Sequence, residues 1–115
     1  MKHLPVVTIV LVSVSLTACG SGGHSTARAA TPNVVVMRNI AFNPQTIRAK
    51  VGETITWVNR DDAPHNVTYV SGPHFTSSAT FTNGGSFSLK LTTPGTIRYM
   101  CTIHPGMNGT IVVAR

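Results

Sequence analysis

The sequence predicts an all-β protein folded as a two-sheet β-sandwich of about seven or eight strands. After residue 32 the apolar residues show no 3.6-residue recurrence, so no amphipathic helix is expected. Short runs rich in Val, Ile, Thr and aromatic residues recur instead, each bounded by Gly, Pro, Asn or Asp. That is the punctuation of strands and turns. Within the runs apolar positions recur at every second residue, which puts each apolar set on one face of a sheet.

The first expected strand is Asn33 to Met37. Gln45 to Lys50 follows the Asn43-Pro44 turn signal, and Val51-Gly52 leads into Thr54 to Asn59. Asn66 to Val70 is closed by Gly72-Pro73, and Ser86 to Leu91 opens after Asn83-Gly84-Gly85. Pro94-Gly95 introduces Thr96 to Cys101, and Pro105-Gly106 precedes Thr110 to Val113. Alternation aligns Ile55 with Trp57, Phe87 with Leu89 and Leu91, and Ile97 with Tyr99 and Cys101. These faces are expected to meet between two sheets, with Trp57 in the core.

The N-terminal third is organised differently. Lys2 and His3 precede an apolar run from Leu4 to Leu16, and Leu16-Thr17-Ala18-Cys19 follows at once. The run is short for a membrane span and has the proportions of an export signal. Leu-Thr-Ala-Cys resembles the lipobox of bacterial lipoproteins, which implies a signal peptide over residues 1–18 and a lipid on Cys19. The alternative is an ordinary signal cut after Ala18 or a later small residue. Residues 20–31 are small and without apolar periodicity. Residues 19–32 therefore read as a lipidated cysteine and flexible tether with a reach of roughly 20 Å, in which His24 is a solvated linker residue. The expected setting is an exported domain, residues 33–115, anchored by lipid and facing the periplasm or cell exterior.

Nine Lys and Arg against three acids give a net charge of +6. The cations form no run and no aromatic-interleaved patch, so nucleic acid is not an expected partner. Anionic lipid headgroups and acidic proteins are. With Cys19 lipidated, Cys101 is the lone thiol of the domain, and in an oxidising compartment a metal is a better use for it than a disulfide.

Cys101-Thr-Ile-His104-Pro-Gly-Met107 places a thiolate, an imidazole and a thioether at three-residue intervals. A soft sulfur, a borderline nitrogen and a weak sulfur suit a copper ion that must be stable as both Cu(I) and Cu(II). A second imidazole is needed, and His65 in Ala63-Pro64-His65-Asn66-Val67 offers it. Zinc would accept the cysteine and both histidines but has no use for Met107.

The order and neighbours of His65, Cys101, His104 and Met107 resemble the cupredoxins of the amicyanin and plastocyanin kind. Val51 to Asn59, Pro64 to Val67 and Gly95 to Cys101 extend the resemblance across roughly Asn33 to Arg115. It implies a Greek-key sandwich holding one type 1 copper, with His65, Cys101 and His104 in a plane and Met107 axial. It further implies that the Pro64 carbonyl faces the ion from the other side. Asn66 would bond Cys101 sulfur through its backbone N–H and Thr102 through its side chain. His104 would be the electron port, framed by Pro64, Pro105 and the Met107 backbone, where redox protein partners dock briefly on a monomer.

The expected function is one-electron shuttling without catalysis, since a copper oxidase or nitrite reductase needs further histidine clusters. Copper storage, delivery or resistance is the alternative. Two departures stand out. Met100 replaces the aromatic that precedes the cysteine in plastocyanin, and the segment Ser71 to Phe81, with His74, does not align clearly with either relative. His74 reads as a solvated loop residue, and Asp61 and Asp62 as turn residues with no third group to work with.

Overall fold

Eight strands in two sheets make up residues 33–115, the part of the chain described in this computed structural model. The expected signal segment 1–18, Cys19 and the tether 19–32 with His24 lie outside the described residues. In chain order the strands are β1 Asn33–Met37, β2 Phe42–Asn43, β3 Thr46–Lys50, β4 Thr54–Asn59, β5 Thr68–Ser71, β6 Ser86–Lys90, β7 Gly95–Met100 and β8 Asn108–Ala114. One sheet runs β2-β1-β4-β6 and the other β3-β8-β7-β5. Two neighbouring pairs are parallel, β1 with β4 and β3 with β8. The fold class is the all-β sandwich that the sequence predicts, and there is no helix among the described residues.

β3, β6 and β7 differ from expectation by one residue at one or both ends, and three larger differences have physical reasons. β2 is only two residues long, too short for any periodicity to register. β5 begins at Thr68 rather than Asn66, because the backbone of His65 pairs with Phe81 and that of Val67 bonds Ser78 before β7 is reached at Thr68. β8 starts two residues earlier than Thr110, since β7 offers it partners as far as Met100 opposite Asn108.

The alternation places Ile55, Trp57, Ile97, Tyr99 and Cys101 in the core, as expected, with Phe87 and Leu89 packed against it. Trp57 meets Tyr99 edge-on at 5.2 Å, and Phe42 meets Tyr99 at 4.7 Å. Such pairs add about 0.5–1.5 kcal/mol each beyond the area they bury. Burial pushes the Tyr99 hydroxyl up to about 12, so it stays neutral. The ring is accommodated by Gly109 on β8, where a Cβ would fall inside the Tyr99 ring atoms. Gly109→Ala is expected to destabilise the fold by roughly 1–3 kcal/mol through overpacking; an unchanged denaturation midpoint would show that the ring has somewhere else to go.

The connection from β4 to β5 crosses from one sheet to the other, and β7 runs antiparallel to β5 with Thr68 opposite Met100. The crossing loop and the loop after β7 therefore meet at one end of the sandwich. His65 lies on the first and Cys101 on the second.

Candidate metal centre

His65 is held by backbone bonds in both directions, its N–H to the Phe81 carbonyl at 3.1 Å and its carbonyl to the Phe81 N–H at 2.9 Å. Cys101 follows the last residue of β7, and its N–H donates to the Met107 carbonyl at 2.9 Å. The Met107 N–H returns to the His104 carbonyl at 3.3 Å, closing the loop on itself. The loop so closed carries Cys101, His104 and Met107 as a unit.

Cys101 Sγ lies 3.7 Å from His65 Nδ1 and 3.8 Å from His104 Nδ1, and one ligand atom from each residue falls within 4.8 Å of the others. A first-row ion bound at about 2.3 Å to sulfur and about 2.0 Å to nitrogen in a trigonal plane sets those atoms about 3.7 Å apart. The three side chains are thus spaced for one small ion. Cys101 and His65 are fully buried and Met107 is 2 % exposed, whereas His104 is half-buried. Exposed Pro64, Ile103 and Pro105 share its loops.

Asn66 ties the two loops together. Its Nδ2 donates to Thr102 Oγ1 at 2.7 Å, and its Oδ1 accepts from the Thr102 N–H at 3.0 Å. The side-chain tie implied by the resemblance is present. A bond from the Asn66 backbone N–H to Cys101 sulfur is not found among those of the described residues.

Asp61 is the residue that sequence reasoning missed. Rather than an idle turn residue, it sets its Oδ2 2.7 Å from His65 Nε2, four residues on. The same carboxylate accepts the N–H groups of Asn39 at 2.7 Å and Ile40 at 3.0 Å. Both residues have φ of 55°, a conformation a β-branched residue adopts only under strain, at order 1–3 kcal/mol. Two successive N–H groups turned to one anion form a small nest. Burial raises the Asp61 pKa, but the bonds from Ile40, His65 and Asn39 outweigh it and hold the carboxyl below its ordinary 3.8. With Nε2 engaged by the carboxylate, His65 keeps Nδ1 as the atom facing Cys101. The spacing Asp61 to His65 was a signal in the sequence, but only the β1–β2 turn reveals what holds the acid there.

His74 is exposed and its ring packs at a tilt against Tyr69, with centroids 4.8 Å apart, in the loop between β5 and β6. Asp62 is exposed.

A β-sandwich with a cysteine, two histidines and a methionine gathered at one end defines the blue copper class of proteins. The copper-binding proteins of the plastocyanin/azurin family match residues 30–114, and the chain belongs to that family, as a cupredoxin of the amicyanin and plastocyanin kind. It is 33 % identical over 109 residues to amicyanin-alpha of Methylorubrum extorquens, covering 90 % of this chain and 92 % of that protein. It is 36 % identical over 83 residues to amicyanin of Paracoccus denitrificans, covering 70 % and 63 %. Plastocyanin of Scenedesmus fuscus is 39 % identical over 85 residues, covering 64 % and 87 %. Among solved structures, an oxidised point mutant of amicyanin superposes with a TM-score of 0.68 at 34 % identity, covering 76 % of this chain and 88 % of the other. A copper-containing nitrite reductase from Thermus scotoductus reaches 0.68 at 30 % identity, but this chain covers only 22 % of it. The chain is a blue copper electron-transfer protein with one copper ion.

Proposed function

We propose that Cys101 Sγ and the Nδ1 atoms of His65 and His104 would hold a copper ion, with Met107 as a weaker thioether donor and the Pro64 carbonyl beside the site. The observation that carries this reading is the 3.7 and 3.8 Å spacing of both imidazole nitrogens from one buried thiol. Copper, when bound, supplies a one-electron couple. The chain's part is to keep the donors still. Asn66 and Thr102 brace the two loops against each other, and Asp61 orients His65. Bracing of this kind fixes ligand geometry and tunes the metal.

His104 is the half-buried member of the set, so electrons enter and leave along its outer edge. Pro64, Ile103, Pro105 and Ile40, which is 43 % exposed beside Gly106 and Met107, give the surrounding surface its apolar character. A redox protein docking there need bury less than about 1,200 Å² in total, which favours rapid exchange. No substrate is turned over. The whole protein is exported, with residues 1–18 removed, Cys19 lipidated, residues 19–32 as tether and residues 33–115 as the functional domain.

Addition of Cu(II) to the chain from Thr31 onward is expected to produce intense blue thiolate-to-copper absorption. Ascorbate should bleach it, ferricyanide should restore it, and Cys101→Ser should abolish it. A colourless product removes Cys101 from the site. Copper that binds without a reversible couple points to storage, delivery or resistance instead.

A further inference from the structure

The two ends of the sandwich differ in charge. At the end away from the metal centre, β3 finishes at Lys50 opposite Ala114 of β8, and Arg115 follows. Across the Lys50–Thr54 turn, Gly52 N–H donates to the Leu91 carbonyl and Thr54 lies opposite Lys90 of β6. Arg48, Lys50, Lys90 and Arg115 thus gather around one turn, all of them exposed. At its tip stands Val51, 40 % exposed.

One carboxylate, Glu53, offsets a single charge of this four-cation cluster. Glu53 is the acid in the turn, and its Oε2 is already taken by the Lys50 N–H at 2.8 Å and Asn33 Nδ2 at 3.0 Å. Asp61 and Asp62 follow β4 at the opposite end. Among the described residues the ion pair formed is His65 with Asp61, and none of the four cations forms a close ion pair with a carboxylate.

Asn33, which opens β1, lies opposite Ile55 and bonds Glu53, so the 32 residues before it join the domain at this same end. β4 spans the distance from this end to the metal centre, about 20 Å for six residues and their flanks. The chain entering at one pole, basic residues and an apolar tip beside it, and the candidate metal centre at the other pole share one axis.

We propose that the end formed by Arg48, Lys50 and Lys90 around Val51 is a docking surface for an anionic phospholipid bilayer. The cations meet headgroup phosphates, Val51 lies at the boundary with the acyl chains, and the metal pole faces away from the membrane, open to partners. For its setting the proposal rests on the anchored reading of Cys19. Its surface chemistry does not, and the test uses a chain without that cysteine.

The chain from residue 20 onward keeps every described strand and the whole core. Loaded with copper, it is mixed with phosphatidylcholine vesicles with and without phosphatidylglycerol, and binding is read by co-sedimentation. Binding is expected only to the anionic vesicles and should weaken as salt is added. Each cation at such a surface is worth about fivefold in affinity, so combining Arg48→Gln, Lys50→Gln and Lys90→Gln should cost on the order of 100-fold. Their blue colour should be unchanged, which separates this outcome from failure of the copper site. Arg38→Gln with Arg60→Gln, at the metal end, should bind nearly as the native chain does. Equal binding to both vesicle types overturns the proposal, as does an equal loss in the Arg38 and Arg60 pair. Indifference to vesicles with retention on polyglutamate through the same three residues assigns the surface to an acidic protein and overturns it too.

Discussion

Copper-loaded protein is expected to melt roughly 15 to 30 °C above the metal-free form. An ion present at a thousandfold excess over its dissociation constant, and bound by the folded state alone, adds about 4 kcal/mol. A domain of this size shifts by about 4–8 °C for each kcal/mol. The gain is large because the core is modest: roughly 85 residues bury only about 60 per cent of their unfolded surface. His65 and Cys101 are 36 residues apart in sequence and sit on loops from different sheets. An ion shared between them clamps the two layers at their common end. Calorimetry with and without Cu(II) checks this, and Cys101→Ser should remove most of the copper dependence. Identical midpoints for loaded and metal-free native protein would dismiss His65 and Cys101 as joint ligands.

Asp61→Asn is expected to raise the reduction potential by about 60 mV. The amide keeps an oxygen for His65 Nε2 but loses the negative charge that reaches the metal through the imidazole. Negative charge favours Cu(II) over Cu(I), so its removal favours reduction. Altering a group that orients a ligand histidine changes metal affinity by about 10- to 100-fold. A tenfold change in the ratio of the two oxidation states' affinities corresponds to about 59 mV for one electron. Asp61→Ala, which also loses the hydrogen bond, should in addition release copper faster. A potential unmoved in both variants would reduce Asp61 to a turn residue after all.

The same carboxylate makes a signed prediction for pH. Its folded pKa lies below the unfolded value of 3.8, so between the two the unfolded chain binds the extra proton and stability rises with pH. The contribution is complete above 3.8 and fades as pH falls through the folded value. In metal-free protein, native chain and Asp61→Asn should therefore differ in stability at neutral pH and converge only in that acidic window.

Much of the fold was legible because strands announce themselves locally. Ile55 with Trp57, and Ile97 with Tyr99 and Cys101, alternate within five residues, and the sheets bury those faces. The metal loop was legible too, since Cys101, His104 and Met107 bring three chemically matched donors within seven residues. What escaped notice was either too short or depended on distant chain. β2 is two residues long. The start of β5 was set by the pairing of His65 with Phe81 and of Val67 with Ser78, partners that no local pattern records.

Asp61 illustrates the limit most clearly. Its sequence neighbourhood is that of a turn, and its partners at Asn39 and Ile40 are more than twenty residues upstream. Charge behaves in the same way. The basic residues look scattered along the chain, yet strand pairing collects Arg48, Lys50 and Lys90 at one end because β3, β4 and β6 turn there together.

By itself, then, the sequence determined the sheet class and the chemistry of the donors, since alternation and side-chain type are properties of short stretches. Tertiary structure alone decided that His65 comes within 3.7 Å of the thiol, that an acid stands behind it, and that the basic turn of Arg48, Lys50 and Lys90 lies at the end away from the metal centre. Those are relations between segments, and only the pairing of β4, β5 and β7 across two sheets brings the segments into register.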